Sequence, residues 1–270
     1  MADVSAGSRE ALARDAALLS RTVREAGALA YAMFRTELKK WTKGASSPVS
    51  EADIAVNDLL EDRLRSATPD YGWLSEESVD DEARLGKPLV WIVDPIDGTR
   101  AYLSGREDWC VSVALVEDAS PVLAAVFAPA SEEFFFAMRG AGATRNDTPV
   151  QAAPGTELDF PRIAGPKPLM ERLYRGPGEI SLHPRIGSLA LRLCRVAEGR
   201  LDAAFAGGQS HDWDLAAANL IVQEANGNMT TLSGDSILYN RRAVTHGVLV
   251  AAGRDRHASI VEHLRRHSLP

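Results

Sequence analysis

Leu89-Val90-Trp91-Ile92-Val93-Asp94-Pro95-Ile96-Asp97-Gly98-Thr99 decides how this chain is read. The first five residues are an uninterrupted apolar run, which predicts a central strand buried on both faces. That strand is expected to stop at Asp94-Pro95, because proline brings no N–H to a sheet ladder. Asp94 and Asp97 then flank a turn just past a strand end, where side chains are rigidly held and face solvent. Mg²⁺ takes about six hard oxygen ligands and keeps some waters. Asp94 and Asp97 can converge on such an ion, and the Ile96 carbonyl can add a neutral oxygen. Gly98 permits close backbone approach or a φ closed to other residues. Thr99 can hold a water through its hydroxyl. Taken alone, the segment is either a hard-metal site or a plain acidic turn.

Working outward, residues 8–38 read as a helix with Leu12, Ala16, Leu19, Val23, Ala26, Ala30 and Phe34 on one stripe. Residues 39–48 hold Lys39, Lys40 and Lys43 and read as a polar loop. Ser50 with Asp53 forms a capping-box pattern that starts a second helix, ending near Ser66. After the central strand, Cys110–Val116, Val122–Ala128 and Glu133–Ala137 are separated by polar and proline-bearing breaks, the pattern of an antiparallel meander. Residues 146–168 are rich in Pro and Gly and mark either a long loop or the passage to a second lobe. The expected division is an N-terminal lobe over residues 1–150 and a C-terminal lobe over residues 151–270, together one catalytic unit. In the second half, Ser188–Glu198 and Asp214–Asn226 read as helices, each followed by a glycine, with a strand over Leu201–Ala206 between them. The basic tail from Arg254 reads as a short solvated helix.

The chain has 270 residues, 45% of them hydrophobic, and a formal net charge of −7. The acidic balance argues against a broad nucleic-acid or anionic-membrane surface, so no nucleic-acid polymer and no membrane are expected as partners. A small anionic substrate stays compatible, because bound metal inverts the local field. The two cysteines, Cys110 and Cys194, lie in apolar segments and read as buried thiols. No leader-like N-terminus and no run of about 18 apolar residues occurs, which leads to the expectation of a cytoplasmic protein.

Other acids join the central segment. Glu76 and Glu77 follow Tyr71-Gly72-Trp73-Leu74-Ser75, Asp53 lies in a helix's first turn, and Asp214 opens another helix. Each has an ordinary explanation by itself: solvated surface for the glutamates, complementing a helix dipole for the aspartates.

Together these stretches resemble the inositol monophosphatase-like superfamily of lithium-sensitive phosphatases. Trp91-Ile92-Val93-Asp94-Pro95-Ile96-Asp97-Gly98-Thr99 looks like its first signature. Trp213-Asp214-Leu215-Ala216-Ala217-Ala218, followed by Glu224-Ala225-Asn226-Gly227, looks like its second. Ser75-Glu76-Glu77-Ser78 is similar to its Gly-Glu-Glu-Ser element, and Ser47-Pro48-Val49-Ser50-Glu51-Ala52-Asp53 to its Asp-Pro-Val-Thr-x-Ala-Asp stretch. The resemblance implies an α+β fold layered α-β-α-β-α, with a mixed or antiparallel N-terminal sheet and a second C-terminal sheet, and usually a homodimer. It implies two or three Mg²⁺ per active site, held by Glu76, Asp94, the Ile96 carbonyl, Asp97 and Asp214. Asp53, Glu76 and Thr99 would be catalytic, orienting the attacking water. Gly98 and Thr99 would bind phosphate at a helix N-terminus, a location favoured on general grounds. Gly187, Ser188, His211 and Asp212 would join the substrate pocket.

Arg100 stands where the inositol enzymes usually continue Thr-Asn-Phe, and Pro121–Pro129 is similar to a stretch of the bisphosphate nucleotidases. Gly207 occupies the position of a glutamate that binds inositol in the animal enzymes. These departures favour 3′-phosphoadenosine 5′-phosphate as substrate, cleaved to AMP and phosphate, with Arg100 meeting the second charge and Lys43 a weaker candidate. The alternatives are inositol 1-phosphate, another sugar-alcohol phosphate, or histidinol phosphate.

Overall fold

In the computed structural model, residues 6–43, 47–157, 162–167, 170 and 184–266 are described. The Leu89–Asp97 strand, β4, runs second from the edge of a seven-stranded sheet. Its neighbours are β3 (Gly72–Ser75), parallel to it, and β5 (Cys110–Glu117), antiparallel. The meander continues through β6 (Ser120–Ala128), β7 (Glu133–Met138), β8 (Gly142–Arg145) and β9 (Thr148–Pro149).

Residues alternate between two cores, as a period of two requires. Trp91, Val93, Val111, Val113, Leu115 and Leu123 face one side, packed against Leu19, Val23, Ala26 and Ala30 of α1 (Ala6–Met33) and Val56, Leu60 and Leu64 of α2 (Glu51–Ala67). Val90, Ile92, Ala114, Ala124 and Val126 face the other side. There they meet α4 (Leu189–Ala197) and α5 (Asp212–Glu224), the short α3 (Thr99–Leu103) preceding them in the chain. Beyond α4 and α5 lies a four-stranded sheet in the order β10 (Ile163–Ala164), β11 (Ala203–Ala206), β15 (Leu249–Gly253) and β13 (Gly227–Thr231). Its outer face is covered by α6 (Arg254–Arg266). The result is the expected α-β-α-β-α layering.

Four expectations need correction. The strand does not stop at Asp94-Pro95. It continues to Asp97 across a bulge: Asp94 pairs with Ser112 and Asp97 with Cys110, so β4 spends one more residue than β5. A bulge leaves a residue out of the ladder, which is how a strand accommodates a proline. The polar 39–48 stretch is not simply a loop, because β1 (Lys40–Lys43) and β2 (Ser47–Ser50) pair antiparallel; the side chain of Lys43 lies outside the described residues. The first helix ends at Met33, before Arg35, which adopts a left-handed φ of 62°. The basic tail helix is not merely solvated: its Ile260 and Val261 are buried against the second sheet. The smaller pair β12 (Ser210–His211) and β14 (Thr245–His246) frames the start of α5. Among the described residues no helix is long and apolar enough to cross a membrane. Cys110 and Cys194 are buried free thiols.

A charge cluster ties the first sheet to α4. Arg195 of α4 donates from Nη1 to Glu133 of β7 at 2.8 Å and to Glu198 at 2.6 Å, and Arg145 of β8 also pairs with Glu198. Glu198 and Glu133 are nearly inaccessible to water, and the more exposed Arg200 also reaches both at 3.3 Å, so removing Arg195 takes away the most buried of their three cations. Arg195→Met is expected to cost about 2 kcal/mol of stability through lost charge-assisted hydrogen bonds, read from urea unfolding; a change under about 0.5 kcal/mol, the range of a surface substitution, would show that Arg195 contributes nothing.

Candidate active site

The bulge in β4 aims two carboxylates out of the sheet end. Asp94 is almost fully buried and its Oδ1 accepts from Ile96 N at 3.0 Å, which folds the turn on itself. Asp97 is held from the far layer: its Oδ2 accepts from Ser188 Oγ and from Ala190 N, both at 2.6 Å, so it caps the N-terminus of α4. Gly98 follows at φ 95° with Ser188 N and Asp108 O so close that a Cβ would sit 3.1 and 3.3 Å from them. Glycine is needed there both for the backbone angle and for the space.

The remaining acids arrive from separate elements. Asp53 fulfils the capping-box pattern: Ser50 N donates to its Oδ2 at 2.8 Å and Ser50 Oγ at 2.6 Å. Its Oδ1 lies 3.3 Å from Thr99 Oγ1, which is also 3.1 Å from Ile96 O. Asp214 stands on the third residue of α5, which begins two residues earlier than expected, and accepts from His211 N at 2.6 Å. Glu76 follows β3 directly, with its N–H donating to Val93 O at 3.2 Å.

Asp94, Asp97 and Asp214 bring one oxygen each to within 4.8 Å of one another. Glu76 lines the same cavity of about 460 Å³, with Ile96, Gly98, Thr99, Arg100 and Gly187. Such crowding is hostile to ionisation. Burial, then the charges of Glu76, Asp97, Asp214 and Asp53, push the Asp94 carboxyl well above the usual carboxylate range. Burial and then Asp214 push Asp97 up to about 6, against the hydrogen bonds from Ser188 and Ala190. Burial also raises Asp53. Converging hard oxygens that cannot comfortably ionise together fit a small divalent cation, whose charge reverses the penalty. The residues present therefore suit Mg²⁺, with Asp94, Asp97 and Asp214 as ligands and Glu76 beside them.

Two expected pocket residues turn elsewhere, and a third stays beside the site without lining the cavity. Ser188 is fully buried behind Asp97 rather than lining the cavity. Asp212 is fully buried too and bonds Asn240 N and His246 Nε2. The His211 ring stacks on Trp213 at 4.6 Å and nearly parallel, with its Nδ1 3.7 Å from Asp214 Oδ2. Arg106 and Arg185 join Arg100 on the cavity wall instead. The sequence flags neither. Arg106 follows a short helix and Arg185 precedes Ile186-Gly187; the two segments meet through the close packing of Gly187 on Ala101, where a Cβ would lie 2.6 Å away, and through bonds from Arg106 Nη2 to Arg185 O at 2.9 Å and from Ser188 N to Asp108 O at 2.9 Å.

Comparison with known proteins follows this geometry. The profile of the inositol monophosphatase family matches residues 12–269. The inositol-1-monophosphatase of Mesorhizobium japonicum is 34% identical over 216 residues, 76% of this chain and 80% of that protein. The histidinol-phosphatase of Mycobacterium tuberculosis is 33% identical over 79% of this chain and 85% of its own length. Among solved structures, the extragenic suppressor protein suhB of Bartonella henselae superposes with a TM-score of 0.80 at 27% identity, covering 92% of this chain and 97% of that one.

The raised carboxylates set a pH dependence for the metal-free chain. Asp97 has a folded pKa of about 6, above its unfolded value, so the folded state binds the extra proton. That contribution is complete below about pH 4 and is lost as pH rises through about 6. Chelator-treated protein should show a falling Tm between pH 5 and 7.5, and millimolar Mg²⁺ should restore it most at the upper end. A Tm that rises over that window without metal, or ignores Mg²⁺ at pH 7.5, would contradict the electrostatic account.

Proposed function

The chain belongs to the inositol monophosphatase family and is a Mg²⁺-dependent phosphoric monoester hydrolase, and from that premise we propose that it cleaves a small sugar-alcohol phosphate of the inositol 1-phosphate type. The observation that carries the chemistry is the convergence of Asp94, Asp97 and Asp214 on one cavity wall. When bound there, Mg²⁺ acts as a Lewis acid on phosphoryl oxygen and lowers the pKa of water. The chain's own groups would do the rest. A Thr99 hydroxyl that donates to Asp53 Oδ1, 3.3 Å away, keeps its lone pairs for a water proton and so orients that water. Asp53 is held by both Ser50 donors, so the pair is positioned before substrate arrives. Gly98 and Thr99, at the entry to α3, would meet the phosphate. Two or three Mg²⁺ per site, lithium inhibition and a homodimer belong to the same proposal.

The choice of leaving group follows the relatives: the inositol-1-monophosphatases at 34% and 35% identity span most of their own length in the match. A second reading has one observation in its favour. Arg100, Arg106 and Arg185 line the cavity, and among the described residues its lining acids are only the carboxylates that face the metal, with Arg106 also paired to Asp108. Guanidinium groups only donate and suit phosphate, which favours a leaving group with a second phosphate, as in 3′-phosphoadenosine 5′-phosphate. Histidinol phosphate, whose leaving group carries an ammonium, is disfavoured by the same wall.

The test is kcat/KM measured in parallel on inositol 1-phosphate, 3′-phosphoadenosine 5′-phosphate, fructose 1,6-bisphosphate and histidinol phosphate. Inositol 1-phosphate is expected to lead by at least about tenfold, or 1.4 kcal/mol of transition-state preference. A lead of that size for the bisphosphate nucleotide, abolished by Arg185→Met, would replace the first reading with the second. Asp94→Asn should cost on the order of 10²-fold or more on every substrate; an unimpaired variant would remove Asp94 from the chemistry.

A further inference from the structure

Asp212 lies two residues before Asp214 yet turns away from the cavity. Its Oδ2 accepts from Asn240 N at 2.7 Å, and its Oδ1 lies 2.6 Å from His246 Nε2. Asn240 has a left-handed φ of 52°, a conformation that asparagine tolerates better than most residues. While its N–H meets Asp212, its side-chain Oδ1 accepts from Arg84 Nη1 at 2.6 Å, and its Nδ2 approaches Arg84 O at 3.4 Å. One asparagine thus joins the start of α5 to Arg84.

Arg84 is the unusual partner. It is buried, although no part of it lines the cavity. Its Nε and Nη2 grip both oxygens of Asp80 at 2.7 and 2.9 Å, and Nη2 also donates to Arg241 O at 3.2 Å. It sits in the 3₁₀ turn Glu82–Gly86, just after the Glu76-Glu77-Ser78 turn. Its Cβ packs on Gly72, where an added Cβ would lie 3.2 Å away, at the start of the β3 strand that delivers Glu76. The opposite side of the Glu76 turn is pinned independently: Ser75 Oγ donates to Asn57 Oδ1 at 2.7 Å and Trp73 Nε1 to Ser78 Oγ at 3.1 Å.

Two acidic ligands on different elements repel, so their separation is set by the frames that carry them. Burying a guanidinium is costly unless its donors are placed, and those left over from Asp80 go to Asn240 Oδ1 at 2.6 Å and, more weakly, to Arg241 O at 3.2 Å. We propose that Arg84, Asn240 and Asp212 are positioning residues, a brace that holds the Asp214 helix against the Glu76 turn and thereby sets the affinity of the site for divalent cations. The inference rests on Glu76 and Asp214 being metal ligands and is independent of the substrate's identity.

Mn²⁺ binding to the full chain, followed by electron paramagnetic resonance, tests the brace directly. Asn240→Gly keeps the backbone N–H for Asp212 and the left-handed angle but removes the 2.6 Å acceptor of Arg84 Nη1, leaving only the 3.2 Å bond from Nη2 to Arg241 O. It is expected to weaken Mn²⁺ binding by about tenfold, while kcat for p-nitrophenyl phosphate at saturating Mg²⁺ stays within about twofold of the parent. Asn240→Asp, which restores an oxygen for Arg84, should recover affinity to within about threefold of the parent. Arg256→Met, which breaks a buried contact with Asp202 just before β11, serves as the control and should lower Tm without changing Mn²⁺ affinity. Parental affinity in Asn240→Gly, or an equal loss in Arg256→Met, would overturn the brace alone. A parent chain that binds no Mn²⁺ would overturn the metal-ligand assignment and the brace with it.

Discussion

Mutual repulsion among Asp94, Asp97 and Asp214 is the constraint around which this molecule is built. Carboxylates gathered within 4.8 Å in a largely buried setting resist ionising together, and left to themselves they would move apart or take up protons. Each is instead tethered from behind by donors. Ile96 N holds Asp94, Ser188 and Ala190 hold Asp97, and His211 N holds Asp214. These donors belong to a strand bulge and to the first turns of two helices, so the layers meet where the acids do. The layering places α4 and α5 across the first sheet, and their N-terminal ends complete a site that β4 begins. A cation converts that repulsion into attraction, which links metal binding, pH and stability at one place.

Much of this could be read from the residues. The apolar run before Asp94, the Ser50–Asp53 cap and the meander after Cys110 all declare themselves locally, through period, composition and capping chemistry. What escaped reading depends on partners far along the chain. Pro95 stays within β4 because β5 accepts a bulge opposite it, and no local signal reports that pairing. The lysine-bearing stretch contributes a strand that pairs antiparallel with β2, although short polar strands carry no apolar period. Ser188 and Asp212 resemble pocket residues in sequence but face inward, since Asp97 in one case and Asn240 with His246 in the other supply better partners.

The cavity separates two kinds of information. Its acidic wall is specified by helix caps and a bulge, so the chemistry is built into the frame. Its basic wall stands on less regular segments, Arg106 after α3 and Arg185 before α4. Glycines at 98 and 187 let those segments pack closely enough for the two walls to face one another.

Calorimetric titration of Mg²⁺ into the chelator-treated chain, repeated in buffers of different ionisation enthalpy, tests the central claim most directly. A site whose carboxyls are held partly protonated by burial and crowding must release protons when the ion enters. Proton release should be measurable at pH 6, shrink towards pH 8 and diminish in Asp97→Asn. Mg²⁺ binding with no proton release at pH 6, or binding that Asp97→Asn leaves unaltered, would contradict it.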